Sequence, residues 1–344
     1  MSLEHTSHWS RREFLSGLTM VGTAGFLGLR PGPVAAEPPP ETTKIRLVQI
    51  PAICQAPQYV AEELLGSEGF TEVHYVKKQG SKGIESALAS GEADINMHFV
   101  APTLIRLEAG DPIVILAGGH VGCFEVFGSD RVRAIRDLKG KTVAVSELGG
   151  PDHVFLASML AYVGLDPRKD INWAEYPQAD LLVEAAPLLT RGMVDALLGL
   201  PPGSQELREK QIGRVLVNSA VDRPWSQYFC CMVLGNREFV RKHPVATKRA
   251  LRAILKAADL CVLDPDRAAQ FIVDKEYAKR YDYALQVMKE LPYGKWREYD
   301  PEDTVRFYAL RLHEAGMIKS SPQKIIAQGT DWRFLNALKK ELKE

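Results

Sequence analysis

The sequence lacks an excess of charge of either sign. Its 344 residues include 43 basic and 43 acidic side chains, so the formal net charge is zero at pH 7. No run of basic residues stands out along the chain. Nucleic acids and anionic membranes attract proteins through clustered Lys and Arg, and we therefore expect neither of them as a partner.

Cysteine is scarce and irregularly spaced. The five cysteines show no metal-ligand or disulfide spacing; they are Cys54, Cys123, Cys230, Cys231 and Cys261. We expect most of them to be small buried apolar residues. The sequence also lacks a nucleotide-binding loop and a Ser-His-Asp motif. It therefore predicts no cofactor, no metal and no enzyme of those classes.

Beyond the N-terminal region, the chain lacks an apolar run long enough to span a membrane. Arg11 and Arg12 precede Phe14-Leu15 and a Gly-rich apolar run, residues 18–29, and small residues follow at 34–36. This order is typical of a twin-arginine signal peptide. A membrane anchor is the alternative, but the run is shorter than the roughly 20 apolar residues that a span needs. We expect cleavage near Ala36 and a periplasmic mature protein.

The most informative stretch is Gln79–Phe99, which reads as a loop, a helix and a strand after the strand-like run Phe70–Val76. Gly80 and Ser81 open the helix, and Gly91 ends it. A helix start beside the carboxyl ends of parallel strands exposes free backbone N–H groups. Small ligands bind at such places in open α/β sheets.

This unit recurs. Leu88–Ile95 and Leu189–Ala196 both read Leu-x-x-Gly-x-x-Asp-apolar, and each leads into a Pro-containing loop. The chain therefore looks like two similar α/β lobes, for which about 300 residues suffice. We expect residues 37–43 to be a linker, residues 44–127 with 223–344 to form lobe 1, and residues 128–222 to form an inserted lobe 2. We also expect Gly118–Phe127 to continue one alternating strand. Two crossings between lobes would permit hinge closure over a ligand.

Four segments carry a family resemblance. They are Ala56–Ala61, Ala87–Ile95, Asp137–Val145 and Asn236–Val240. Their order resembles that of the nitrate/sulfonate/taurine-type periplasmic solute-binding proteins, which include pyrimidine-precursor binders related to thiamine biosynthesis. The resemblance covers nearly all of the mature chain. It implies a type II periplasmic-binding fold, a small-molecule ligand, a monomer, and delivery to an ABC permease with its ATPase.

In such a fold the ligand lies where the loops of both lobes converge, which gives a set of candidate ligand contacts. They are Gln55, Gly80, Ser81, His98, Phe99, Thr103, His120, Gly149, Gly150, His153, Trp225 and Tyr228. Helix starts at Ser81 and Gly150 would hold a polar group, and the aromatic rings would stack on a planar one. Each has an ordinary alternative: helix capping, a buried histidine or core packing.

Two other functions remain open. Sulfinate desulfinases share the fold and use a nucleophilic cysteine close to where Cys54 stands, but the neighbouring region lacks their arginine. The cysteine-rich patch of the related pyrimidine synthases is not reproduced by Cys123-Phe124 and Cys230-Cys231. The lobes could instead report ligand to a receptor. We expect a binding protein for a sulfonate-, nitrate- or pyrimidine-like solute and favour a planar polar organic ligand over an inorganic anion.

Overall fold

The computed structural model describes residues 37–50, 52–78, 80–176 and 181–342, without the side chains of residues 80–82 and 181–185. The predicted signal peptide lies outside this range. In the predicted linker, the Glu41 carboxylate accepts the backbone N–H groups of Val245 and Ala246 at 3.0 and 2.9 Å. This contact ties the segment to the start of a long helix.

The first sheet has five strands in the order β2-β1-β3-β10-β4. They are β1 (Lys44–Gln49), β2 (Glu72–Lys77), β3 (Ile95–Phe99), β4 (Ile113–Val121) and β10 (Phe229–Asn236). The first three are parallel, whereas β10 runs antiparallel to both β3 and β4. Every residue of β3, β4 and β10 is buried, which is why these segments read as continuous apolar runs.

The second sheet repeats this plan in the order β7-β6-β8-β5-β9. Its strands are β5 (Glu125–Gly128), β6 (Thr142–Val145), β7 (Asn172–Glu175), β8 (Ala196–Gly199) and β9 (Arg214–Asn218). Strands β6, β7 and β8 are parallel, and β5 is antiparallel to both β8 and β9. The antiparallel strand is fourth in both sheets.

The repeated motif forms the same structure in each sheet. Gly91 and Gly192 have φ values of 77° and 69°, the left-handed conformation that ends a helix at glycine. Asp94 and Asp195 follow and are buried. The Asp94 carboxylate accepts the Arg46 N–H at 2.8 Å, and the Asp195 carboxylate accepts the Thr142 N–H at 3.0 Å. Each aspartate thus fixes the strand that follows it beside the neighbouring parallel strand, β1 in the first sheet and β6 in the second.

The chain crosses between the sheets at Gly122. Strand β4 ends in the first sheet at Val121, and β5 begins in the second at Glu125, so the expectation of one continuous strand over Gly118–Phe127 was wrong. Gly122 has a φ of 72°, and a Cβ there would lie 2.4 Å from Ala220 Cα. Only glycine meets both conditions without strain. The lobe boundaries stay a prediction.

Helices cover the sheets. Up to the start of β10 they are α1 (Ala56–Val60), α2 (Glu62–Leu65), α3 (Gly80–Ala89), α4 (Val100–Glu108), α5 (Pro151–Tyr162), α6 (Leu181–Thr190) and α7 (Gly203–Glu209). After β10 follow α8 (Arg237–Lys242), α9 (Pro244–Leu263), α10 (Pro265–Asp274), α11 (Tyr281–Glu290), α12 (Pro301–Glu314), α13 (Pro322–Gly329) and α14 (Arg333–Glu341). Short 3-10 turns lie at Ile53–Gln55, Ile135–Leu138, Trp225–Gln227 and Tyr293–Trp296.

Two elements bring the halves of the chain together. Helix α5, which follows β6 of the second sheet, packs against α4 and α12. Helix α9 runs along α1 and the Tyr293–Trp296 turn, with its Ala and Leu face buried. Among the described residues, none of the helices is long and apolar enough to cross a membrane.

Candidate functional site

A cavity of about 290 Å³ lies between the second sheet and the end of α11. Its walls are Cys123, Glu125, Pro201, Gln205, Arg208, Asn218, Ala220, Val221, Glu290 and Leu291. Glu125 begins β5, and α7 supplies Gln205 and Arg208 immediately after the loop that follows β8. The cavity therefore sits where strand ends and a helix start of the second sheet meet the C-terminal helices.

A polar network crosses this cavity. The Glu290 carboxylate accepts hydrogen bonds from Arg208 Nη2 at 2.6 Å and from Gln205 Nε2 at 3.0 Å. Arg208 Nη2 is also 3.7 Å from Glu125 Oε1. Both carboxylates thus share one guanidinium, and this shared contact links the second sheet to α11.

Three polar atoms of the network have no hydrogen-bond partner within the described chain. They are Glu125 Oε2, Gln205 Oε1 and Arg208 Nε, all buried. Glu125 and Gln205 are only 4% and 3% exposed. Because a buried polar atom without a partner costs about 1–3 kcal/mol, this group is suited to receive a polar molecule.

Burial also changes the acidity of Glu125. It raises the pKa of the carboxyl to about 7, although the charge of Arg208 acts in the opposite direction. Near neutral pH the group therefore exchanges a proton readily. The cavity can accept N–H groups at Gln205 Oε1 and can donate from Arg208 Nε, a mixture that fits a polar organic molecule better than an inorganic anion facing two carboxylates.

A second polar group lies at the carboxyl edge of the first sheet. We call it the thiol cluster, and its members are Cys54, Cys123, Cys230, Cys231, His120 and Gln55. The Sγ atoms of Cys123 and Cys230 are 3.3 Å apart, and Gln55 Nε2 donates to Cys231 Sγ at 3.3 Å. All four cysteines are free thiols and buried. The expectation that they are buried was confirmed, but they are not scattered.

The thiols of the cluster differ in acidity. Burial raises the pKa of both Cys123 and Cys230. Burial acts in the same direction on Cys231, but hydrogen bonds from Cys123, Cys230 and Cys54 outweigh it and hold the pKa of Cys231 well below its usual range.

Cys54 is not activated as a nucleophile. Its hydrogen bond with Cys123 acts to lower its pKa, but contact with Cys231 and burial outweigh that effect and raise the pKa well above the usual range. Reactive cysteines are thiolates with a depressed pKa and some exposure. Cys54 has neither property, since it is 3% exposed.

The structure brings three of the sequence-predicted ligand residues to this region. Gln55 and His120 belong to the thiol cluster. Phe99 packs edge-on against Phe124 and Tyr308, with ring centroids 5.0 and 5.4 Å apart. His120 lies beside Cys123, which also lines the cavity. As ligand contacts they stay predictions.

His98 and Thr103 lie elsewhere. Together with Asn96 they line a separate cavity of about 10 Å³, which is large enough for about one water molecule. Thr103 Oγ1 donates to the Phe99 carbonyl at 3.2 Å. Burial lowers the pKa of His98, so the ring is neutral near pH 7. Neither residue lines the larger cavity.

At the predicted helix start around Gly149 and Gly150, a neighbouring side chain accepts one of the backbone N–H groups. Gly149 has a φ of 89° and its N–H donates to His153 Nδ1 at 3.0 Å, whereas Gly150 is the N-cap of α5. His153 stacks edge-on with Trp173 at 4.6 Å, and burial lowers its pKa to about 4. Helix α3 begins at Gly80, but the side chain of Ser81 lies outside the described part of the chain.

Trp225 and Tyr228 lie in an aromatic layer. Trp225 is buried, with its ring 5.3 Å from that of Phe155. Tyr228 stacks on Phe307 at 3.9 Å with an interplanar angle of 12°. This geometry fits the core-packing alternative, and neither ring lines the 290 Å³ cavity.

Sequence reasoning missed Gln205, Arg208 and Glu290 as site residues. One feature of the sequence could have identified Gln205 and Arg208. Helix α7 follows β8 after a Pro-Pro loop in the second sheet, as α4 follows β3 in the first. By that correspondence, α7 begins at the carboxyl edge of its sheet, where ligands bind.

Comparison with known proteins agrees with this architecture. The model of the NMT1-like family matches residues 38–273, which is more than half of the chain. The chain belongs to the NMT1-like family. The family resemblance seen in the sequence is therefore confirmed.

A curated relative of this family member is the 4-amino-5-hydroxymethyl-2-methylpyrimidine phosphate synthase THI12 of Saccharomyces cerevisiae. It is 25% identical over 260 residues, which cover 65% of this chain and 74% of that protein. The paralogous synthase THI5 of the same yeast is 25% identical over 230 residues, 62% of each chain.

Solved structures show the fold. The periplasmic nitrate-binding protein NrtA from Synechocystis PCC 6803 has a TM-score of 0.73 at 16% identity, covering 89% of this chain and 90% of that one. The aliphatic sulphonate-binding protein SsuA from Escherichia coli has a TM-score of 0.64 at 16% identity, covering 83% and 91%. The desulfurization enzyme DSZB has a TM-score of 0.58 at 15% identity, covering 87% and 99%. The predicted periplasmic-binding-protein fold is confirmed.

Proposed function

We propose that this NMT1-like protein is the solute-binding component of an ABC importer in the periplasm. In this role it holds a small polar organic molecule and delivers it to a permease that its ATPase drives. The single observation that carries the proposal is the cavity between the second sheet and α11, with the unpartnered atoms of Glu125, Gln205 and Arg208. The nitrate- and sulphonate-binding proteins of the same fold support the solute-binding role.

The chemistry of the cavity supports a ligand class. Two carboxylates, Glu125 and Glu290, stand with a single guanidinium, Arg208. A bare sulfonate or nitrate would meet that guanidinium already paired with Glu290. A neutral or cationic molecule with N–H donors would meet two acceptors and one free donor. This arrangement favours an amino-substituted heterocycle or a similar polar organic solute, in line with the pyrimidine chemistry in the relatives' names.

Closure of two lobes is part of the proposal. The part of the chain that carries the first sheet would move against the part that carries the second, and the bond from Arg208 to Glu290 would join them in the closed form. Strand β5 lies in the second sheet, so the hinge would include Gly122. Small-angle scattering should give a smaller radius of gyration at ligand saturation, whereas an unchanged radius would contradict closure.

A direct screen tests the binding function. Thermal unfolding of the mature protein would be followed with amino-pyrimidines, other nitrogen heterocycles, amino acids, sulfonates, nitrate and dicarboxylates. A ligand that binds only the folded state raises the melting temperature. We expect an amino-heterocycle to raise it and nitrate to leave it unchanged. Absence of any stabilising solute across these classes would contradict the proposal.

An enzyme is the second candidate, since the curated relatives are synthases and DSZB is a desulfurization enzyme. The raised pKa of Cys54 and its burial do not support a nucleophile there. A sensing role would use the same cavity and differs only in the partner. Reconstitution with the permease and ATPase separates these roles, because a binding component stimulates ATP hydrolysis when its ligand is present and an enzyme consumes the ligand.

A further inference from the structure

The thiol cluster contains a set of side chains that the proposed function does not use. Cys54, His120 and Cys123 come from three separate segments: the loop after β1, the end of β4, and the crossing between the sheets. One possible metal-ligand atom of each lies within 4.8 Å of those of the other two, and all three residues are buried. Cys54 lies far from His120 and Cys123 along the chain, so the full set could not be recognised by its spacing in the sequence.

His120 is oriented as a metal ligand would be. Its Nδ1 lies 3.3 Å from the Val121 carbonyl oxygen, and a proton on Nδ1 would be donated to that oxygen. Nε2 then carries a free lone pair, and it is buried without a hydrogen-bond partner in the described chain. His120 itself is 0% exposed. Backbone carbonyls fix metal-binding histidines in this tautomer.

Cys231 lies next to this group but outside it. Strand β10 pairs with β4 so that Cys231 lies opposite His120, and Gln55 Nε2 donates to its sulfur at 3.3 Å. Residues that contact a metal site from outside the ligand set help to orient the ligands. Three donors, two sulfurs and one nitrogen, therefore lie within 4.8 Å of one another.

The donor set selects the kind of metal. Thiolate and imidazole ligands favour Zn²⁺ and Cu⁺, whereas Mg²⁺ and Ca²⁺ require oxygen ligands, and no carboxylate belongs to this donor set. In a tetrahedral site with metal–sulfur bonds of about 2.3 Å, neighbouring sulfurs stand about 3.8 Å apart. The present separations, up to 4.8 Å, require only small side-chain movements to reach that geometry.

We propose that Cys54, His120 and Cys123 bind one thiophilic metal ion, Zn²⁺ or Cu⁺. The coordinating thiols release their protons to solvent as the metal–sulfur bonds form. The site goes beyond solute binding and does not depend on it. Because Cys123 also lines the 290 Å³ cavity, the metal would lie at the wall of the solute site and hold the crossing between the sheets in place.

The parent protein, purified reduced and under anaerobic conditions, provides the first test. Native mass spectrometry after addition of Zn²⁺ or Cu⁺, each against a competing chelator, should show one bound ion, and the preferred ion identifies the metal. Co²⁺ should give the intense thiolate-to-cobalt absorption of a tetrahedral sulfur site. Absence of stoichiometric binding with all three ions would overturn the proposal. So would a Co²⁺ spectrum without thiolate bands.

Cysteine variants test which residues bind the metal ion. Cys54→Ser and Cys123→Ser should each lower metal affinity by about 100-fold or more, since loss of an outer contact alone lowers it by about 10–100-fold. Cys261→Ser is the matched control, because Cys261 is buried and free but outside the cluster. Cys230→Ser should also retain binding, although Cys230 contacts Cys123. Equal losses in Cys54→Ser and Cys261→Ser would contradict the site.

Discussion

Asp94 and Asp195 occupy the same position in two copies of one structural unit. Each follows a left-handed glycine, is buried, and accepts the backbone N–H of a residue in the neighbouring parallel strand, Arg46 in β1 or Thr142 in β6. Each is also joined to an arginine, Arg46 or Arg131. The same buried aspartate contact therefore stabilises both sheets, and the repeated sequence motif encodes it.

Removing either buried aspartate carboxylate should destabilise the protein. Asp94→Ala leaves the Arg46 N–H and guanidinium without their carboxylate, and a broken buried pair costs about 3–5 kcal/mol. Because Arg46 is 45% exposed, we expect about 2–3 kcal/mol. Asp195→Ala should cost somewhat less, since Arg131 is 54% exposed. Urea denaturation measures both.

The control for these variants is Glu92→Ala. Glu92 and its partner Lys78 form a largely exposed ion pair, and such pairs contribute about 0–1 kcal/mol. Equal unfolding free energies for Asp94→Ala and Glu92→Ala would show that the buried Asp94 contact does not stabilise the fold more than an exposed ion pair does.

The crossing at Gly122 should tolerate no side chain. Gly122→Ala places a Cβ 2.4 Å from Ala220 Cα, at a left-handed φ of 72°. Gly140→Ala has a similar left-handed φ of 73°, but no atom lies within 4 Å of its Cβ. The left-handed conformation alone costs about 1–2 kcal/mol. We expect Gly140→Ala to lose about that much and Gly122→Ala clearly more, as measured by denaturation. Equal losses would mean that Ala220 moves away freely.

Glu125 should make stability depend on pH. Folding raises its pKa from 4.5 to about 7, so between these values the folded state holds a proton that the unfolded state has lost. Stability from this group is therefore fully present below pH 4.5 and declines as pH rises to about 7. The decline is on the order of 2–3 kcal/mol.

Glu125→Gln removes that titration. The unfolding free energy of the variant, measured in buffers from pH 4.5 to 8, should fall less with rising pH than that of the parent. Parallel pH profiles for the two proteins would rule out a raised pKa at Glu125. Gln286→Ala is a suitable control, because Gln286 donates to Glu290 at 2.8 Å without carrying a titrating group.

Export by the twin-arginine route stays a prediction from Arg11 and Arg12. Replacing both with Lys should leave the precursor in the cytoplasm, because that route reads the arginine pair. Cell fractionation and the mass of the processed chain measure the outcome and the cleavage site near Ala36. Normal periplasmic accumulation of the Lys variant would contradict the assignment.

The sequence predicted much of the fold because its signals are local. The two Gly-x-x-Asp motifs predicted both helix ends and the strands after them. Gly118–Phe127 was misinterpreted because alternation continues across the crossing, and only the close approach of Gly122 to Ala220 breaks the strand. Helices α13 and α14 were missed, although Ser321 and Pro322 form an N-cap and a first-turn proline that signal the start of α13.

The site was harder to predict because its residues meet only through the fold. Gln205 and Arg208 lie on a helix whose charged sequence suggested a solvent-exposed face, and Glu290 comes from a distant helix. The thiol cluster joins the loop after β1, the end of β4, the crossing and the start of β10. No spacing within one segment reveals such a group. Trp225 and Tyr228 have aromatic neighbours that the sequence could not identify.

Isothermal titration calorimetry of the solute found by the screen tests the central claim most directly. Arg208→Gln removes the donor that faces the cavity, and Lys210→Gln, at the C-cap of the same helix, is its control. Lys210 lines a different cavity of about 370 Å³ between α6 and α7. We predict that Arg208→Gln loses at least about 10-fold in affinity, equivalent to about 1.4 kcal/mol, while Lys210→Gln binds like the parent. Unchanged affinity in a folded Arg208→Gln variant, or a loss confined to Lys210→Gln, would contradict the assignment of the solute to this cavity.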